Sequence, residues 1–192
     1  MTPQLAINYL WGLWFATWIV AAFWSDRSAK RPGLRAEFPY RIVTLIGAVL
    51  LFAITGRSWR GPLFLWSFGR EADWALFGAA AAGFLFCWWA RIHLGRLWSG
   101  WVSKKEGHRV IDTGPYAIVR HPIYTGIILA AFATAAIKGT VFALVGAAVM
   151  TLGFWIKARL EERFLRQELG AASYDAYSRR VPMLVPFGPK AA

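Results

Sequence analysis

The sequence predicts an all-α protein, a polytopic membrane helix bundle with five transmembrane helices and a short cytoplasmic C-terminal helical tail. Three observations carry that prediction. Of 192 residues, 57% are hydrophobic and 12 are tryptophan, more apolar surface than a soluble domain of this size readily hides and no burden to a bundle in lipid. Several apolar runs approach the roughly 20 residues that a helix needs to cross a bilayer core. The formal charge of +12 falls between those runs, which fits basic loops flanking spans better than a patterned nucleic-acid face.

Leu5 to Trp24 holds no charge and is the first expected span. Nothing basic precedes it and no small-residue cleavage site follows, so it is expected to be retained and not removed as a signal peptide. Tyr40 to Thr55 is the second, with Arg41 snorkelling and Trp59 at the interface. Pro62 to Phe68 reads as a re-entrant or surface piece. Trp74 to about Gly95 is the third span; its small residues from Gly78 to Gly83 allow close helix approach, and Trp88, Trp89 and Arg91 mark the far interface. Pro122 to Ile137 and Thr140 to Ile156 are separated only by Lys138 and Gly139, which dictates a tight antiparallel hairpin. After Ile156 the tail reads as helical from Lys157 to about Leu169 and again around Tyr174 to Arg180.

Charge orients the spans. Residues 25 to 41 and 96 to 120 are rich in Lys and Arg and belong in the cytoplasm, as does the basic tail, so the N-terminus is expected outside and the C-terminus inside, in a bacterial inner membrane. No repeat or linker interrupts the chain, which reads as a single domain over residues 1 to 192. The single cysteine, Cys87, lies in an apolar stretch and reads as an inert buried thiol, and no histidine pair has metal-ligand spacing, so no metal is expected. Trp11, Trp14 and Trp18 share one helix face, the pattern of lipid contact or helix packing.

The chemistry concentrates in GPYAIVRHPIYTG, Gly114 to Gly126. Proline suits the first turn of a helix because it lacks the N–H left unpaired there, so Pro122 starts the fourth span and His121 takes the cap position. A helix amino terminus offers free N–H groups and partial positive charge to a carboxylate or phosphate, and Arg120 adds a full charge. Tyr116 and Tyr124 flank this anion site with flat faces and hydroxyls. The 138–139 turn brings the fifth span back beside the fourth, so Glu161 and Glu162 fall near the same place and suit a ligand's amino group. The competing reading pairs those glutamates with Lys157, Arg159, Arg163 or Arg166 along a solvated helix.

With HRVI at His108 to Ile111, EERFL at Glu161 to Leu165, then Tyr174, Tyr177 and VPMLVPF at 181 to 187, this motif resembles the isoprenylcysteine carboxyl methyltransferase and phospholipid methyltransferase family of membrane enzymes. The resemblance covers roughly residues 95 to 187. It implies S-adenosylmethionine as cofactor and S-adenosylhomocysteine as product, held between the RHPxYxG loop and the glutamate helix. It places cofactor contacts on His108, Arg109, Val110, Ile111, Gly114, Tyr116, His121, Pro122, Ile123, Tyr124 and Glu161. The residue reading adds Arg120 and Glu162 to that set, and a cation at the end of the fifth span, Lys157 or Arg159, to position an anionic acceptor. The acceptor implied is a lipophilic molecule entering from the bilayer, an isoprenylcysteine-like carboxylate first, with a phosphatidylethanolamine amine or a small thiol as alternatives. A nicotinamide-dependent membrane reductase and a non-catalytic membrane protein are the rival readings.

Overall fold

The computed structural model describes residues 1–24, 33–52, 63–100, 102 and 110–190. Those residues form six α-helices in chain order: α1 (Pro3–Ala22), α2 (Leu34–Phe52), α3 (Arg70–Leu94), α4 (Pro122–Lys138), α5 (Val141–Leu169) and α6 (Ala171–Arg180). Short 3-10 turns occupy Gly95–Leu97 and Gly114–Ala117. The helices at Pro3–Ala22, Arg70–Leu97 (α3 with its 3-10 extension) and Val141–Leu169 are long and apolar enough to cross a membrane. Of the other two expected spans, α4 is a shorter apolar helix of 17 residues. The first turns of α2 carry Arg35, Glu37 and Arg41.

Local chemistry sets the ends of these elements. Thr2 caps α1 through its hydroxyl, which accepts from the Leu5 N–H at 3.3 Å, and Pro3 occupies the first helical position. Helix α2 begins at Leu34, earlier than the expected Tyr40; the expected end at Thr55 and the interfacial Trp59 lie outside the described residues. Gly139 closes α4 in the left-handed region at φ 60°, and Thr140 caps α5 by accepting from the Ala143 N–H at 3.2 Å. Nothing between Ile156 and Gly170 breaks a helix, so the fifth expected span and the first tail helix are one rod.

The described part of the expected surface piece, Leu63 to Phe68, is an extended strap over the α4–α5 turn. Leu65 N–H donates to Gly139 O at 2.8 Å, Val141 N–H to Leu63 O at 3.0 Å, and the Trp66 indole to Ala136 O at 3.0 Å. A Cβ on Gly139 would fall 1.9 Å from Trp66 O, so strap and turn require each other.

Two close helix contacts hold the bundle. Gly83 of α3 meets Gly126 of α4 so tightly that a Cβ on Gly126 would lie 2.3 Å from Gly83 O. A Cβ added to Gly146 of α5 would likewise fall 2.4 Å from Leu51 N of α2. Small residues permit this, and close packing supplies the association energy that apolar contact alone cannot supply in lipid. The tryptophan stripe of α1 packs inward: Trp14 stacks on Phe84 with centroids 4.9 Å apart, and the Trp11 indole donates to the buried Thr134 hydroxyl at 2.9 Å. Trp18 stacks on Trp14 at 4.9 Å and meets Trp88 and Trp98 edge-on at 5.5 Å, at one end of that cluster.

Candidate functional site

Proline at the first position of α4 leaves the helix without its early backbone donors in use. Pro122 is fully buried, His121 makes no side-chain cap, and the first ladder bond is Thr125 N–H to His121 O at 3.0 Å. The amides of Ile123 and Tyr124 precede that bond, at the positive end of the helix. The C-terminal segment returns alongside. Arg120 N–H donates to Pro182 O at 2.9 Å, His121 N–H to Met183 O at 3.1 Å, and the Thr125 hydroxyl to Leu184 O at 2.6 Å.

Arg120 clamps three elements together. Its Nε donates to Glu162 Oε1 at 2.6 Å and its Nη1 to the Ser178 and Val181 carbonyls at 2.8 and 2.6 Å, with its side chain 5% exposed. A buried guanidinium tolerates such a place only when it is hydrogen-bonded, and these bonds tie Nε to a carboxylate and Nη1 to two carbonyls at the end of α6. His121 Nε2 lies 3.2 Å from the same Glu162 oxygen, while Nδ1 lies 3.8 Å from Glu161 Oε2. The His121 ring stacks on Tyr124 at 5.2 Å and Tyr124 on Phe154 at 5.2 Å, and the Tyr124 hydroxyl donates to Glu161 Oε2 at 2.6 Å. Among the described residues neither glutamate forms an ion pair with a cation of its own helix, the arrangement that the competing sequence reading expects; Arg120, His121 and Tyr124 supply the bonded partners.

Between α4, α5, α6 and the end of α3 lies a cavity of about 360 Å³, within the range of ligand pockets. Its walls are largely apolar, with Trp18, Leu94, Trp98, Ile111 and Ile127 among them, and its polar groups gather at the His121 end and at Lys157. The Lys157 ammonium sits 5.1 Å from the Tyr124 ring centroid and 5.5 Å from that of Tyr40, and donates to Gly100 O at 3.0 Å.

Tyrosines fix α6 against this cavity. The Tyr177 hydroxyl donates to Tyr116 O at 2.8 Å, and Tyr174 packs edge-on to Tyr177. Burial pushes the Tyr174 and Tyr177 hydroxyls well above the ordinary phenol range, and burial together with the Glu161 charge does the same at Tyr116. All three therefore stay neutral at physiological pH. Gly114 adopts φ 58° against His93, whose Cε1 would lie 2.7 Å from an added Cβ, and His93 packs on Tyr116 and meets the Thr113 hydroxyl at 3.0 Å.

Of the expected site residues, Val110, Ile111, Tyr116, Arg120, His121, Pro122, Ile123, Tyr124, Glu161 and Lys157 line the cavity. His108 and Arg109 lie outside the described residues. Gly114 shapes the turn without lining the cavity, Glu162 stands behind it as the partner of Arg120, and Arg159 opens onto a different groove. Sequence reasoning passed over Leu165 and Leu169, which follow Glu161 at four and eight residues and so share its face, and over Trp18, which it took as packing or lipid contact. Trp18 occupies the cavity end of the α1 stripe, a place that helical spacing alone does not reveal.

Among the described residues no group of three or more His, Cys, Asp or Glu side chains could hold a metal ion. The donor set matches a zwitterion with an apolar body: helix amides for a carboxylate, the Glu161 carboxylate for an ammonium, and aromatic faces for a flat ring or a cation.

Residues 76–167 match the model of the isoprenylcysteine carboxyl methyltransferase family. The chain is 31% identical over 87 residues to the protein-S-isoprenylcysteine O-methyltransferase B of Arabidopsis thaliana, 45% of this chain and 44% of that one. It is 46% identical over 73 residues to methanethiol S-methyltransferase 2 of Bradyrhizobium diazoefficiens, 37% of this chain and 26% of that one. It is 28% identical over 157 residues to the nickel-cobalt-cadmium resistance protein NccN of Alcaligenes xylosoxydans xylosoxydans, 77% of this chain and 62% of that one. The chain thus spans less than two thirds of the length of each of these relatives.

Proposed function

We infer from the match of residues 76–167 to the isoprenylcysteine carboxyl methyltransferase family model that this chain is a membrane methyltransferase using S-adenosylmethionine. The observation that carries the reading is the meeting of the α4 amino terminus with Glu161 across one cavity, because few ligands need both ends at once. S-adenosylmethionine supplies an electrophilic methyl group on a sulfonium when bound. The open amides at Ile123 and Tyr124 suit its carboxylate, Glu161 its ammonium, and the stacked His121, Tyr124 and Phe154 rings hold Glu161 in register through the tyrosine hydroxyl.

The acceptor side follows from Lys157. Its ammonium in an apolar, tyrosine-lined recess attracts an anion and repels a protonated amine, so a carboxylate or thiolate acceptor fits better than a phosphatidylethanolamine headgroup. Such acceptors need placement and dehydration and no dedicated base. Within that class an isoprenylcysteine-like carboxylate, entering sideways from the bilayer, is the first reading. The 46% identity to a methanethiol S-methyltransferase favours a small thiol as the second. The accompanying topology is five membrane helices, with the N-terminus outside and the cavity and tail on the cytoplasmic side of a bacterial inner membrane.

Membranes containing the protein, incubated with methyl-labelled S-adenosylmethionine, test the reading. Label in base-labile methyl esters supports the carboxylate, and label in volatile thioethers on addition of a small thiol supports the second acceptor. Label confined to phospholipid headgroups would overturn the anionic class, and no transfer above protein-free membranes would count against methyl transfer altogether.

A further inference from the structure

Behind the Arg120–Glu162 pair a second depression opens, about 390 Å³, lined by Arg159, Arg163 and Arg166 of α5 and by Lys190 of the C-terminal segment. Its negative charges are committed elsewhere. Glu162 belongs to Arg120, and Asp175 takes Arg166 in a two-point bond at 2.7 and 2.8 Å. Among the described residues no carboxylate pairs with Arg159, Arg163 or Lys190, and Arg163 Nε turns to the Arg159 carbonyl at 3.2 Å.

The same exposed face of α5 continues toward the apolar half of the helix. Val145, Ala148, Leu152, Trp155, Arg159, Arg163 and Arg166 recur every three or four residues and all are exposed. The stripe turns from apolar to basic between Trp155 and Arg159, whose guanidinium lies 5.9 Å from the Trp155 ring centroid. An aromatic ring followed by cations is the signature of a hydrocarbon boundary meeting headgroups. A merely solvated basic face has no reason to carry Leu152 and Trp155 one turn above it.

The C-terminal segment presents a second apolar element there. Val185 is 64% exposed and Phe187 100%, between Met183 and Pro189, which line the groove. Phe187 holds φ 61°, a region that costs a non-glycine residue energy, in a turn closed by Gly188 N–H to Val185 O at 2.9 Å. The Thr125 to Leu184 bond sets this turn level with the first turn of α4, where a span leaves the headgroup layer.

We propose that this groove binds an anionic phospholipid, with the headgroup phosphate against Arg159, Arg163 and Lys190, the acyl chains along Leu152 and Trp155, and Phe187 inserted beside them. Basic pockets next to spans on the cytoplasmic side suit such headgroups. The proposal rests on the membrane placement above and not on methyl transfer. It gives Arg159 a partner on the outer face of α5 in place of the acceptor expected from the sequence.

Native mass spectrometry of the full-length, delipidated protein, titrated with mixed micelles of phosphatidylglycerol or phosphatidylcholine of matched chains, tests it. Phosphatidylglycerol is expected to be retained preferentially, with the preference falling about fivefold for each cation removed in Arg159→Gln, Arg163→Gln and Lys190→Gln. Arg70→Gln, an exposed cation outside the groove, is expected to keep the preference. S-adenosylhomocysteine affinity is expected to stay unchanged in Arg159→Gln/Arg163→Gln, which separates this proposal from the cofactor reading. Equal retention of the two lipids, an undiminished preference in the double variant, an equal loss in Arg70→Gln, or full displacement by inorganic phosphate would each overturn the lipid site.

Discussion

On the inner face of α5, Lys157 and Glu161 line a cavity and meet partners from other elements, Gly100 and Tyr124; on the outer face, Arg159 and Arg163 stand over an open groove and, among the described residues, pair with no carboxylate. These residues sit within seven positions of one helix. What separates their roles is the wall between them, the Arg120–Glu162 pair with its bonds to Ser178 and Val181. A charge tied to fixed dipoles is pre-organised for a ligand of defined shape, whereas a surface cation with no carboxylate partner suits an anionic headgroup.

Removing the wall is expected to have the largest effect. Arg120→Met strands a buried carboxylate and frees the carbonyls that anchor α6, a loss of about 3–5 kcal/mol for a broken buried pair. Its melting temperature in detergent falls, residues beyond Gly170 become open to protease, and Arg120→Met/Glu162→Leu recovers part of the loss. A wild-type melt in the single variant would show that the two faces are not held apart by this pair.

Acting on the inner face alone, Lys157→Met is expected to lower kcat/KM for an anionic acceptor by about tenfold or more, the worth of a charge-assisted bond. S-adenosylhomocysteine affinity stays unchanged and Lys157→Arg restores part of the rate. Lost cofactor affinity with an intact acceptor KM would move Lys157 to the cofactor's side.

A smaller effect follows from the tyrosines that seat α6. Their hydroxyls are pushed up by burial, so the stabilisation they give is complete below the ordinary phenol value of about 10 and is lost as pH rises toward the higher folded values. Protease sensitivity of α6 is expected to rise above that pH in wild type and less so in Tyr174→Phe. A flat profile in wild type would contradict the burial argument. At the bottom of the scale, Asp175→Asn breaks an exposed pair with Arg166 on the outer face and is expected to change neither melting temperature nor cofactor affinity.

Pro122 and Gly139 announced both ends of α4, the proline because its fixed φ and missing N–H suit a first turn and the glycine because it enters the left-handed region without a Cβ penalty. The site's two halves were legible for the same reason, since the short turn at Gly139 forces α5 back along α4. The partners of the glutamates were harder to read. Helical spacing offered Arg159 and Arg166 to Glu162 at three and four residues, whereas the partner it takes is Arg120, from the loop before α4. Lys157 and Arg159 looked interchangeable by position, yet two residues along a helix are a rotation of about 200°, enough to put one in the cavity and the other on the outer surface. Trp18 reaches the cavity beside Trp88 and Trp98, a docking of α1 on its neighbours that one helix's periodicity does not encode.

The central claim is that the cavity between the α4 amino terminus and Glu161 holds S-adenosylmethionine. Calorimetric titration of S-adenosylhomocysteine into the detergent-purified protein and its Glu161→Gln variant tests it most directly. Saturable one-to-one binding in wild type, weakened about tenfold to a hundredfold in the variant with an unchanged melt, is the predicted result. No binding in wild type, or equal affinity in both, would contradict it.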